Sequence, residues 1–266
     1  MHPDTSEETE STNRTVIVLG TVRSGTSMTA GVLHNLGVDM GHDITGPSRA
    51  NPLGYFEDAT FHALTTAILN AAGGDRHDLP DSAQIAAQRE DFHHQIRAAV
   101  RERSRPLWGW KDPMAAFTLP LFLDAVEAPH FVVCHRPLHD VASSYQRMVG
   151  LPLDEVTRLV RQIEAQVRAV CARYTDVPRL HVHHRSFLEA PEAHTAALAR
   201  FLDLNAAPRT LREASRHIKP KSAIRVLQVR KMVEKGISDP AELPRYLVRQ
   251  VGILARRAQK ALRGPR

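Results

Sequence analysis

Gly20 and Gly25 bracket the polar run Thr21-Val22-Arg23-Ser24, and Thr26 and Ser27 follow at once. A loop of this kind opening a helix turns backbone N–H groups toward an anion. The first-turn donors have no partner inside the helix, and the helix dipole favours negative charge there. The glycine spacing is that of a phosphate-binding loop, G-x-x-x-x-G-K-[ST]. Thr26, however, stands at the lysine position, and the cation is Arg23, inside the loop. The chemistry expected is the grip of a phosphate-bearing nucleotide, achieved differently from an ATPase or GTPase.

These residues need elements to hold them. Thr15–Leu19 is an apolar run without alternation, which suits a strand buried on both faces of a parallel sheet. A helix is expected from about Ser24 to Leu36, stopped by Gly37. The segment Gly41–Gly54 reads as loop, and helices follow over about 58–72 and 82–103. Leu107–Trp110 forms a short strand ending at Lys111, and Phe131–Cys134 a buried strand with Arg136 just beyond its end. A helix over about 138–148 comes next. Asp154 is expected to cap the one after it, along which Val156, Leu159, Val160, Ile163, Val167 and Val170 recur at helical spacing. Leu180–His183 is a fourth strand and Pro191–Leu202 a further helix with proline in its first turn. Strands alternating with helices predict a three-layer α/β/α fold around a parallel sheet, with ligands at the carboxyl ends of the strands. Gly20–Ser27, Lys111 and Arg136 all fall at such ends.

The chain has 266 residues and an ordinary apolar fraction of 42%. No run approaches the roughly 18 apolar residues that span a bilayer. The first ten residues are polar and acidic, without the basic and apolar regions of a signal peptide. The two cysteines, Cys134 and Cys171, are too few for a disulfide framework, so a cytoplasmic setting is expected and both read as packing residues. Residues 1–13 read as a disordered tail.

The net charge of +6 conceals an excess of +12 within Arg209–Arg266. Low aromatic content (5%) and the lack of a nucleic-acid motif argue against nucleic acid as the partner. Leu243, Leu247, Val251, Leu254, Ala258 and Leu262 form an apolar stripe, with Arg245, Arg249, Arg256 and Lys260 mainly off it. Residues 241–266 are therefore expected to form a basic amphipathic helix that docks on the domain, on a second subunit, or on an anionic membrane. The oligomeric state is left open. The 15 histidines, densest at His93-His94 and His181/His183/His184, lack carboxylate or cysteine partners at ligand spacing, and no metal is expected.

At this point four motifs in order resemble one family. Gly20–Ser27 resembles the 5′-phosphosulfate loop of sulfotransferases that use 3′-phosphoadenosine 5′-phosphosulfate (PAPS). His135–Arg147 is similar to that family's R-[NP]-x-x-D-x-x-x-S element, with Arg136, Asp140 and Ser144 in place. Asn51-Pro52-Leu53-Gly54-Tyr55-Phe56-Glu57 resembles the N-P-x-G-Y-[FW]-E segment of bacterial members, and Trp110-Lys111-Asp112-Pro113 their W-x-K-[DS/T]-P strand end.

The resemblance implies a P-loop-related nucleotide-binding domain over 14–240, PAPS as co-substrate and a hydroxyl-bearing acceptor. It implies that Arg23, Ser24, Gly25, Thr26 and Ser27 hold the 5′ side of the nucleotide. Arg136 and Ser144 hold its 3′-phosphate, with Ser143 the competing serine. Glu57 is implied as the base for the acceptor hydroxyl, with Asp58, His62 and Asp112 as competitors. Lys111 reaches the transferring sulfonate. Arg23 departs from the lysine of many eukaryotic members and is assigned electrostatic stabilisation of the leaving oxygen. Arg216–Lys221 is the only candidate for a late basic segment closing the 3′-phosphate site. A P-loop kinase or NTPase, and a non-catalytic nucleotide-binding protein of the same fold, are the alternatives.

Overall fold

The computed structural model describes residues 13–41, 46, 51, 53–220, 223 and 224. The chain divides into a unit ending at Ile218 and a second comprising Lys219–Arg266. The expected tail over residues 1–13, all but Asn13, and the basic helix over 241–266 lie outside the described residues.

Four parallel strands make the sheet, in the order β2-β1-β3-β4. β1 (Arg14–Gly20) lies centrally between β2 (Leu107–Lys111) and β3 (Pro129–His135), with β4 (Arg179–His183) on the outer side of β3. The register sets Val18 beside Lys111 and Gly20 beside Cys134, so the chemistry-bearing residues leave the sheet at one edge, as expected.

Helices cover both faces. α1 (Thr26–Asn35), α9 (Pro191–Phe201) and α10 (Pro208–Ser215) pack over Val16, Val18, Val132 and Val182. The opposite face, formed by Ile17, Leu19, Trp110, Phe131 and Val133, is covered by α2 (Ala59–Ala71), α4 (Arg89–Arg103), α5 (Ala115–Phe122), α6 (Leu138–Val149) and α7 (Leu153–Arg173). Val16, Ile17, Val18 and Phe131 are fully buried, each contributing roughly 1.5–3 kcal/mol of transfer free energy. The three-layer α/β/α expectation holds.

Several local expectations are corrected. The predicted helix over 82–103 is two helices, α3 (Ser82–Ala87) and α4, parted at Gln88. Asp81 caps α3 through a capping box with Gln84, which starts a short helix of its own. Asp154 is not the cap of α7. Pro152 holds that place, and Asp154 lies within the first turn, where its charge still complements the dipole. α5, α8 (His184–Glu189) and α10 were not anticipated. No helix among the described residues is long and apolar enough to cross a membrane.

Candidate active site

The loop after β1 needs both of its glycines. Gly20 has φ 148°, and a Cβ there would stand 2.8 Å from Ser24 Oγ and 2.9 Å from the Cys134 carbonyl. Gly25 is the N-cap of α1 at φ 109°, a conformation other residues adopt only with strain. Arg23 itself is left-handed, at φ 64°. Ser24 closes the turn, donating from both Oγ (2.7 Å) and its backbone N–H (3.1 Å) to the Thr21 carbonyl. α1 therefore begins with no side-chain cap and no acidic residue in its first turn, and its first N–H groups are left without helical partners.

The second strand end meets this loop. Arg136 Nη1 donates to the Arg23 carbonyl at 2.9 Å, and Arg23 Nε donates to Ser144 Oγ at 3.2 Å. Because α6 starts directly after Pro137, Ser144 comes round to the cradle and is buried, whereas its competitor Ser143 makes no such contact. Arg136 and Ser144 do not bond each other. Both converge on Arg23.

Burial presses the Arg23 guanidinium down from its ordinary range, Tyr55 acts in the opposite sense, and Arg147 adds repulsion. Burial likewise lowers Arg136, Asp140 partly offsets it, and Arg23 and Arg147 lower it further. All three arginines stay charged. Their neighbouring carboxylate, Asp140, is half-exposed and 4.0 Å from Arg136 Nε. That Nε is buried without a hydrogen-bond partner. Three cations raising one another's energy, with an unsatisfied donor among them, make a place that an anion with several negative charges would stabilise. Arg147 was missed as a member of this group. It lies on the helix that carries Ser144, one turn further along.

The acceptor side is built by aromatic packing. Phe61 on α2 stacks on Trp110 of β2 at 4.7 Å between ring centroids, with Trp108 and Phe122 completing the cluster. This contact fixes α2 against the end of β2 and brings the residues before and after Phe61 to Lys111 and Asp112. Asn51 Nδ2 donates to the Gly54 carbonyl at 2.5 Å, and Gly54 adopts φ 97°.

Glu57 is buried and its Oε1 accepts from Lys111 Nζ at 2.5 Å. Lys111, only 2% exposed, is thus a buried ion-pair partner and not a surface lysine reaching outward from a sheet edge. Asp58 accepts from the backbone N–H groups of Thr60 and Phe61 as the N-cap of α2 and pairs with the buried Arg103, which makes it structural.

His62 Nδ1 lies 2.9 Å from Asp112 Oδ2 and 3.6 Å from Glu57 Oε2. Asp112 also accepts from Arg76 Nη2 at 2.9 Å and from the Met114 N–H at 2.7 Å. Burial pushes the Asp112 carboxyl up, but the hydrogen bonds from His62 and Arg76 and the Arg76 charge outweigh it and hold the group below the usual carboxylate range. Arg76 was not anticipated. It sits in the loop after α2 and has no local pattern to mark it. Lys111, Glu57, His62, Asp112 and Arg76 form a connected polar chain at the end of β2.

Other expected residues lie apart from this centre. Cys134 donates to Thr29 Oγ1 at 3.3 Å, and burial pushes its thiol up to about 12, so it packs and does not react. Arg216 is the exposed C-cap of α10, and the neighbouring His217 ring packs on Phe56, 5.2 Å between centroids. Lys221, the end of that segment, lies outside the described residues. His135, His181 and His183 stack along the β3–β4 edge. Among the described residues no group of His, Cys, Asp or Glu is arranged to hold a metal ion.

A cradle at a strand-to-helix turn, facing cations from the next strand end, defines a nucleotide- or anion-handling α/β enzyme. The model of the sulfotransferase family matches residues 15–208, most of the length, and the chain belongs to that family. No curated protein matches the sequence. Among solved structures it is similar to sulfotransferase STF1 from Mycobacterium tuberculosis (15% identity, TM-score 0.48, covering 82% of this chain and 76% of that one). It is also similar to STF9 from Mycobacterium avium (14%, 0.46, 84% and 77%). A third likeness is the sulfotransferase domain of the olefin synthase of Synechococcus PCC 7002 (15%, 0.47, 88% and 96%).

Proposed function

We propose that this sulfotransferase takes its sulfonate from PAPS and passes it to a hydroxyl of a glycan, glycolipid or small molecule. The observation that carries the reading is the convergence of Arg136 and Ser144 on Arg23 of the cradle, with Arg136 Nε buried and unpartnered. A nucleotide bearing both a 5′-phosphosulfate and a 3′-phosphate has two anionic ends. The first-turn N–H groups of α1, with Ser24, Gly25, Thr26 and Ser27, suit the 5′ end. Arg136, Ser144 and Arg147 suit the 3′-phosphate. Thr26 in the lysine position disfavours an ATP-directed reading.

In the transfer, negative charge grows on the oxygen bridging sulfur and the 5′-phosphate. Cations already in place stabilise that charge without reorganising. Arg23, fixed charge and planar, serves this purpose as an electrostatic group. Lys111 at the end of β2 is proposed to face the sulfonate oxygens. The acceptor proton is proposed to leave toward the cluster that contains Glu57.

The test is incubation with labelled PAPS and a panel of hydroxyl acceptors, followed by mass spectrometry. The expected result is an acceptor gaining one sulfonate mass together with adenosine 3′,5′-bisphosphate. Phosphoryl transfer from ATP-Mg²⁺ without any sulfonate transfer would replace this reading with that of a kinase.

A further inference from the structure

We propose that His217, seated in a notch at Gly31 of α1, is a positioning residue for the acceptor side. It holds Phe56 in a left-handed backbone conformation, and Phe56 in turn sets the direction in which Glu57 leaves the loop toward Lys111. The assignment rests on the sulfonate-transfer reading above, in which the end of β2 receives the acceptor, and it holds whichever group there takes the proton.

The notch is made by the missing side chain of Gly31, which is buried in the middle of α1, where glycine is a poorer helix former than alanine. A Cβ built there would collide with Nε2, Cδ2 and Cε1 of the His217 ring, all within 2.6 Å. Only glycine leaves room for the ring. The turn that ends α10 delivers it. The N–H groups of His217 and Ile218 donate to the carbonyls of Ala214 and Ser215 at 3.1 and 3.0 Å, and Ile218 anchors the turn in the core around Val16 and Val18.

Phe56 occupies the slot that this ring helps to form. It meets His217 edge-on, 5.2 Å between centroids at 79°, and is tilted against His34 at 5.6 Å and 48°. Edge-to-face contact is a favoured geometry for aromatic rings. Gly31 and His34 are three apart on α1 and share a face, so one helix supplies the notch and a wall of the slot. The backbone shows what the slot opposes. Phe56 has φ 55°, a conformation that a bulky residue keeps only when its surroundings impose it. Its side chain packs with the α1 side of the core, and Glu57, the next residue, turns to the end of β2, with Oε1 2.5 Å from Lys111 Nζ. Release of Phe56 would let this backbone relax and carry Glu57 away from Lys111.

The first turn of α1 also forms the phosphate cradle. The helix that receives the 5′ end of the nucleotide therefore fixes the loop that carries Glu57. Donor and acceptor sides take their spacing from one rigid element. In such an alignment about 1 Å of misplacement can cost roughly 10²-fold in rate.

His217→Ala, Gly31→Ala and the double variant, each in the full chain, test the assignment. With labelled PAPS and the acceptor returned by the screen, His217→Ala should lower kcat by about 10–100-fold, and Gly31→Ala, by displacing the ring, should do the same. The double variant should be no slower than either single one, because both changes remove the same contact. Binding of adenosine 3′,5′-bisphosphate should be unchanged in all of them, which also shows that they fold. A crystal structure of His217→Ala should show Phe56 out of the left-handed region and Glu57 beyond hydrogen-bond reach of Lys111 Nζ. Glu57 still paired with Lys111 in that structure, losses in kcat that multiply in the double variant, or a His217→Ala defect confined to bisphosphate affinity would overturn the assignment. Failure of the sulfonate-transfer reading would look different. The wild type would not bind adenosine 3′,5′-bisphosphate, and the His217→Ala structure would still decide whether His217 positions Phe56 and Glu57.

Discussion

Replacing Glu57 with glutamine removes one charge at nearly constant volume, and the structure says what that should do. Lys111 is 2% exposed, on a strand whose neighbour is Val18, and its ammonium is tied to Glu57 Oε1. Glutamine offers only a dipole in place of the carboxylate, so the ammonium is left buried and uncompensated. Breaking a buried pair from one side costs about 3–5 kcal/mol. Against a total stability of roughly 5–15 kcal/mol, that is about a fifth or more of what holds a domain together. Lys111→Met should cost less, because the orphaned Glu57 carboxylate still has the His62 ring 3.6 Å away. The double variant Glu57→Gln/Lys111→Met removes both charges and should recover most of the loss of Glu57→Gln, since an apolar replacement of a buried pair is often near neutral. Urea unfolding followed by circular dichroism is the assay. With m of about 1–3 kcal/mol/M, the single variant should move the midpoint down by at least ~1 M while m stays constant. A Glu57→Gln midpoint close to the wild type, or a double variant no more stable than the two single losses added together, would refute the buried-pair argument.

Further outcomes are expected. Arg136→Ala should weaken binding of adenosine 3′,5′-bisphosphate by roughly 10–150-fold, the equivalent of a charge-assisted hydrogen bond of ~1.5–3 kcal/mol, while affecting 5′-AMP far less, as read by calorimetry. Gly20→Ala should destabilise the protein by at least ~1 kcal/mol and abolish nucleotide binding, because the added methyl meets Ser24 Oγ and the Cys134 carbonyl below 3.0 Å; a normal melting curve would contradict it. Asp112 has a depressed folded pKa, so its stabilising share is present above the unfolded value near ~3.9 and is lost as pH falls through the folded one. The stability gap between wild type and Asp112→Asn should therefore be widest above about pH 4 and narrow below it in acid titrations of urea unfolding. Cys134, with its thiol at about 12, should resist a thiol reagent at pH 8 until the protein is unfolded.

The cradle and the sheet were legible for related reasons. A strand buried on both faces reads as an unbroken apolar run, and glycines at positive φ mark a turn that other residues cannot make. Thr15–Leu19 with Gly20 and Gly25 carried both signals. α5 carried neither, because Ala115–Phe122 is apolar all round, so it has no helical periodicity, and it holds Pro120 within it. The break at Gln88 was hidden by continuous helix-forming composition on either side. On the acceptor side, Glu57 and Lys111 were found through motifs, but their union in one buried pair was not. It depends on Phe61 stacking on Trp110, a contact between segments nearly fifty positions apart in sequence. Arg76 entered for the same reason, placed only when α2 docks on β2. His62 is a competitor for the base one turn beyond Glu57 in the sequence. Its contacts with Asp112 and Glu57 depend on the docking of α2 on β2.

The central claim is that Arg23, Arg136 and Ser144 form one site for a nucleotide with a phosphate at its 3′ position. Calorimetric titration with adenosine 3′,5′-bisphosphate, and separately with ATP-Mg²⁺, tests it most directly. The expected result is tighter binding of the bisphosphate, with that advantage lost in Arg136→Ala. Tighter binding of ATP-Mg²⁺, unaffected by Arg136→Ala, would contradict it.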